Sequence, residues 1–272
     1  MSFALAAGIA PTSGSALLGA ALALVSLSLA PHLARRLAPE RKAFLPSWGF
    51  GHLALAALAG VVCAGALAVL APGAPETGLT GIMWRGAAIS FGAALAIAAI
   101  VVRVAPDGLA SLGLGRSRNL SAAASALAVW ALALPGLWGL GLAWPWVLER
   151  LGVPIEPPLL LESIVAARGP ALWSAVSLAV VVIPFLEEVC FRGFLQPLLV
   201  RRWGGACGVL VTSVLFASLH GWSAFGPVLG LSLILGAVML RTRRLSAPFV
   251  VHAANNGLAI LMLRILPELT LP

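Results

Sequence analysis

Eight apolar runs dominate this chain of 272 residues, near 13–33, 50–71, 86–104, 120–146, 171–199, 206–221, 225–240 and 247–266. A helix needs about 20 apolar residues to cross a hydrocarbon core about 30 Å thick, and most of these runs approach that length. No other feature constrains the fold so strongly. Inside lipid the backbone has no water to bond with, so each span must satisfy its own N–H and C=O groups, which a helix does. The expectation is an all-α fold: a polytopic membrane helical bundle of about eight transmembrane helices. Composition agrees, with 61% hydrophobic and 10% charged residues, against roughly 45–50% and about 25% in soluble domains. The short sixth and seventh runs are separated only by "GWSAF" and read as a tight hairpin. Pro184 and Pro197 predict kinks or ends in the long fifth run.

The formal charge of +8 is no nucleic-acid signature, because the basic residues sit in short clusters between apolar runs. The partner they imply is the lipid bilayer. Arg35, Arg36, Arg41 and Lys42 follow the first run, Arg103, Arg116 and Arg118 the third, Arg201 and Arg202 the fifth, and Arg241, Arg243 and Arg244 the seventh. The other connections carry Arg85, Arg150, Arg168 and Arg264, diluted by Glu76, Glu149, Glu156, Glu162 and Glu268. Twelve basic residues against four form a positive-inside pattern that places both termini outside. Sixteen Arg against one Lys, with abundant Ala, fits a bacterial inner-membrane protein. No basic segment precedes the first apolar run, so a cleaved secretory signal is not expected. Cys63, Cys190 and Cys207 lie in apolar runs without zinc-like spacing or a disulfide framework. The segment Glu156 to Gly169 has an interrupted apolar pattern that suits a short interfacial helix or a plain loop.

Against this background, "VVIPFLEEVCFRGFLQP" places Glu187, Glu188 and Arg192 within one span. A charge at the bilayer centre costs at least about 2.5 kcal/mol, and such residues mark function more often than packing. Glu188 and Arg192 are i, i+4, with Glu first, the better order for an ion pair. Gln196 extends the stripe, whereas Glu187 points about 100° away. His220 follows Phe216 by one turn in "FASLH", and His252 and Asn256 share a face in "HAANN". At 1.5 Å per residue, Glu187 and His220 stand about 20 Å, and His252 and Asn256 roughly 12–18 Å, above the basic ends of their spans. Three helices thus bring Glu, His, His and Asn to a similar depth. A desolvated carboxylate beside an imidazole can deprotonate water, and His with Asn can donate to an oxyanion.

"EEVCFR", "FASLH" and "HAANN" resemble, in order and in spacing, the EExxxR, FxxxH and HxxxN motifs of the CPBP intramembrane proteases. That family, also called CAAX protease and bacteriocin-processing or Abi, includes Rce1-type endopeptidases. The resemblance covers roughly residues 170–265. It implies residues 1–150 as N-terminal transmembrane helices and 151–272 as the catalytic transmembrane core. It implies Glu187 and His220 as the water-activating pair and His252 and Asn256 as the oxyanion hole. Glu188, Arg192 and Phe216 would support them. The implied substrate is a membrane-anchored protein or peptide, cleaved at a leader or a C-terminal sorting signal. Glu187, His220 and His252 also make a chemically sensible zinc set, but HExxH is missing. No cofactor is favoured over direct activation of water by glutamate. A transporter or proton relay, and a non-catalytic immunity or scaffold protein of the same fold, are the alternative classes. The oligomeric state leaves no mark in the sequence.

Overall fold

The computed structural model describes residues 14, 16–24, 46–70, 79–115, 119–155, 164 and 167–265. Every regular element among them is helical. The order is α1 (Phe50–Leu70), α2 (Leu79–Val104), a 3₁₀ turn (Gly108–Leu112) and α3 (Asn119–Arg150). Then come α4 (Gly169–Ser177), α5 (Ile183–Glu188), α6 (Gln196–Ser218), α7 (Trp222–Thr242) and α8 (Ser246–Ile265). Residues 16–24 are helical apart from these. Six helical stretches among the described residues are long and apolar enough to span, which makes this an integral membrane protein. Most of the first apolar run, the Glu156–Gly169 segment except 164 and 167–169, and Arg35, Arg36, Arg41, Lys42, Arg116 and Arg118 lie outside the described residues.

The fifth and sixth apolar runs form one helical stretch, Gly169–Ser218, of 50 residues. Straight, it would be about 75 Å long, more than twice the hydrocarbon thickness. It is broken at Gly204, whose φ of 81° and ψ of 170° are not helical. A β-carbon at that φ would be strained, so glycine supplies the bend. Beyond it the chain runs back over itself. A Cβ on Gly208 would fall 2.6 Å from the backbone nitrogen of Val200, so glycine is also what permits the two arms to touch. The two runs therefore behave as two arms of a hairpin. A second reversal, at Leu219–Gly221, leads into α7 through Gly221 at φ 76°, as the "GWSAF" spacing predicts.

The prolines predicted to kink the fifth run have a particular effect. Two π-helical turns, Leu178–Val182 and Val189–Leu195, precede Pro184 and Pro197. A proline ring clashes with the carbonyl four residues back and has no N–H to give it. Widening the helix by one residue accommodates the ring while the helix continues, and such turns are frequent at functional sites.

α7 is the central helix, with a buried face running from Gly226 to Met239. Leu231, Ile234, Leu235 and Val238 pack against Ala126, Val129, Ala133 and Leu137 of α3 and Ala247 and Val251 of α8. A second core joins Trp48, α2 (Ala94, Ile97, Val101) and Leu112 to Val189, Phe194 and Leu198. Lipid tails are as apolar as these side chains, so close packing and hydrogen bonds hold such helices together. Trp48 supplies both. Its ring stacks on Phe194 at 5.0 Å, with 7° between the planes, and its indole N–H donates to the Phe194 carbonyl at 2.9 Å.

Candidate active site

α5 carries Glu187 and Glu188 and the second π turn Arg192, the hairpin returns His220 to the same neighbourhood, and α8 brings His252 and Asn256. Glu188 and Arg192 form the i, i+4 pair expected from their spacing, with Oε1 and Nη1 3.3 Å apart and both side chains inaccessible. Arg192 Nη2 donates to Ser232 Oγ on α7 at 2.7 Å. Its guanidinium carbon lies 4.4 Å from the centre of the Phe216 ring. This charge is thus held by an ion pair, a hydroxyl and a π face together, which suits arginine and not lysine. One turn further, Gln196 Nε2 donates to the Gly236 carbonyl at 2.9 Å.

His252 joins this array to Glu187. Its Nδ1 lies 2.9 Å from Glu188 Oε1 and its Nε2 lies 3.8 Å from Glu187 Oε2. An ionised carboxylate only accepts, so Nδ1 carries the proton directed at Glu188. That bond fixes the ring and leaves Nε2 as the working edge. Glu188 is fully buried, while the Glu187 side chain keeps 20% of its exposure. The adjacent carboxylates therefore occupy different surroundings: one is locked into the scaffold, the other stands at its edge.

The imidazole brought beside Glu187 is that of His252. His220 lies at the exposed end of α6, with Nδ1 2.8 Å from the Phe216 carbonyl, so Nδ1–H donates there and Nε2 is left for other partners. Phe216 is the shared wall. Its buried ring meets His220 at 4.6 Å, His252 at 5.8 Å and Phe191 at 5.0 Å between centroids.

Asn256 is placed by the first π turn. There the Ile183 N–H reaches back to the Leu178 carbonyl. Pro184, next in line, has no N–H. The Ala179 carbonyl is thereby deprived of both helical donors, and Asn256 Nδ2 donates to it at 2.9 Å. One of the two amide N–H groups is committed to this structural bond; the second belongs to the same nitrogen. Asn255 points elsewhere and accepts from the Trp130 indole at 3.4 Å.

Sequence reasoning passed over Ser232 and the Ala179 carbonyl. A lone serine in the otherwise apolar "GLSLILG" was the available signal for the first. For the second it was the proline five residues downstream. Among the described residues no three His, Cys, Asp or Glu side chains are gathered so as to hold a metal ion. No step proposed for this site is routed through a metal.

Residues 169–258 match the family model described as Rce1-like, type II CAAX prenyl endopeptidase Rce1-like. No curated protein and no solved structure matches the chain. The matched segment holds all three motifs and every side chain of the array from Glu187 to Asn256. Residues 169–258 of this membrane protein are thus similar to the family described as Rce1-like, type II CAAX prenyl endopeptidase Rce1-like.

Proposed function

We propose that the chain is an intramembrane endopeptidase that hydrolyses a peptide bond of a membrane-associated protein or peptide. The observation that carries this reading is the asymmetric pair of glutamates bridged by His252, with Glu187 at the accessible edge and Glu188 locked by Arg192. Glu187 takes a proton from water while His220 helps to hold that water. The resulting hydroxide attacks the scissile carbonyl carbon. Charge builds on the carbonyl oxygen, and N–H donors aimed there stabilise it. His252, as an imidazolium, donates from Nε2, with Glu188 countering its charge from the far side. The free N–H of Asn256 is the second donor. Glu187 then returns its proton to the leaving amine, and the C–N bond breaks. Arg192 and Phe216 position rather than react.

The substrate class is a leader peptide, a membrane-anchored protein or a C-terminal sorting tail, and none of these requires a prenyl group. The charge pattern supports a bacterial inner-membrane protein with its basic connections inside. The test compares membrane proteomes of cells carrying the wild type and Glu187→Gln. Precursors with uncleaved ends should accumulate in the variant, because losing a general base costs about 10²–10⁴-fold in rate. A variant expressed to the same level with no altered terminus anywhere would fit a scaffold or a transporter instead.

A further inference from the structure

Behind the array a cleft of about 20 Å³, room for about one water molecule, is lined by Arg192, Gln196, Val200, Met239, Leu240 and Arg243. It lies between α7 and the first arm of the α6 hairpin and reaches to the end of α7, where Arg241 is in the last turn and Arg243 caps the helix in a left-handed conformation. Two of its lining side chains are buried and have polar atoms without protein partners. Arg192 Nε, on a side chain with no exposure, is a donor, and Gln196 Oε1, on a residue only 2% exposed, is an acceptor. They sit one helical turn apart on one stripe. A buried polar atom left unpaired costs about 1–3 kcal/mol, so two such atoms on side chains lining one cleft are a poor outcome for packing alone.

A single ligand that accepts from Arg192 Nε and donates to Gln196 Oε1 meets both needs. A chloride or carboxylate would satisfy the arginine but repel the amide oxygen, and a cation would do the reverse. An acyl chain would satisfy neither. We infer that this cleft is a water site: water enters from the side of Arg201 and Arg202 before the α6 bend and of the basic end of α7, and bridges Arg192 Nε to Gln196 Oε1, hydrating the rear of the Glu188–Arg192 ion pair. Its consequence is a polar link between the aqueous phase at that end and a charge pair otherwise sealed in apolar packing. The inference stands independently of the peptidase reading, since it depends only on the cleft and its two orphan atoms.

Met239 makes the test direct, because it lines the cleft yet is only 4% exposed, while Met83 on α2 is 5% exposed and does not line it. Radiolytic hydroxyl labelling, read by mass spectrometry on the full chain in lipid nanodiscs, oxidises side chains next to bound water. Met239 should be oxidised well above Met83. Gln196→Leu, which removes the acceptor, should bring Met239 down to the level of Met83, while Gln196→Glu should keep it labelled. Wild-type Met239 as silent as Met83 overturns the inference without recourse to any variant, and would mean the cleft is dry or filled by lipid. Labelling that is unchanged in folded Gln196→Leu overturns the bridging role.

Discussion

Replacing Arg192 with Met asks how much of this membrane core is organised by one charge. The substitution keeps an unbranched apolar stem but withdraws the guanidinium from Glu188 Oε1 at 3.3 Å, Ser232 Oγ at 2.7 Å and the Phe216 face. Glu188, fully buried, keeps His252 as its partner. Removing one member of a buried ion pair costs about 3–5 kcal/mol, because the survivor remains in low dielectric without its counter-charge. At roughly 2–4 °C per kcal/mol for chains of 150–250 residues, the melting temperature should fall by about 6–20 °C. Thermal unfolding of purified protein in one detergent measures this. The double variant Glu188→Gln/Arg192→Met is the decisive arm. The amide introduced by Glu188→Gln can still accept from His252 but carries no charge, so most of the lost stability should return. Arg192→Met within about 1 kcal/mol of wild type would refute the reasoning. So would a double variant no more stable than the single one.

Two further outcomes follow from backbone features. Asn256→Leu strips the donor from the Ala179 carbonyl and should cost about 1–3 kcal/mol in thermal unfolding; combined with Pro184→Ala, which restores an N–H to the π turn, the added cost of Asn256→Leu should shrink, and equal costs in both backgrounds would show that Asn256 does not serve this carbonyl. Gly208→Val should destabilise by at least about 1–3 kcal/mol, since its Cβ would meet the Val200 backbone at 2.6 Å; a variant that melts with the wild type would mean the two arms of the hairpin are not in contact.

What the sequence could disclose was whatever obeys a local period. Glu188 and Arg192 pair because four residues are one turn, and the reversal after Ser218 follows from the short "GWSAF" break between apolar runs. The reversal between the fifth and sixth runs was legible as the basic connection holding Arg201 and Arg202, but which glycine of "WGGACG" makes the bend was not. Contacts across long separations were closed to it. His252 reaches Glu188 across 64 residues and Arg192 reaches Ser232 across 40, and no helical period encodes either. The residue types of the candidate site were visible at a common depth. Its wiring was not: nothing in the spacing announced that His252 would set Nε2 3.8 Å from Glu187 Oε2. The π turns were invisible too, although the prolines that provoke them were noticed as breakers.

Trp48 lies more than a hundred residues before the Rce1-like segment, yet its indole lies flat on Phe194 and bonds to that residue's carbonyl. Arg201 ties down the same stretch by donating to the carbonyls of Pro46 at 2.7 Å and Trp48 at 3.3 Å. A fragment trimmed to residues 169–258 would lose this wedge, along with α2 and α3. Whatever chemistry the segment performs, it borrows its rigidity from upstream chain that family resemblance does not reach. Change in that upstream chain is therefore free only where it leaves the wedge in place.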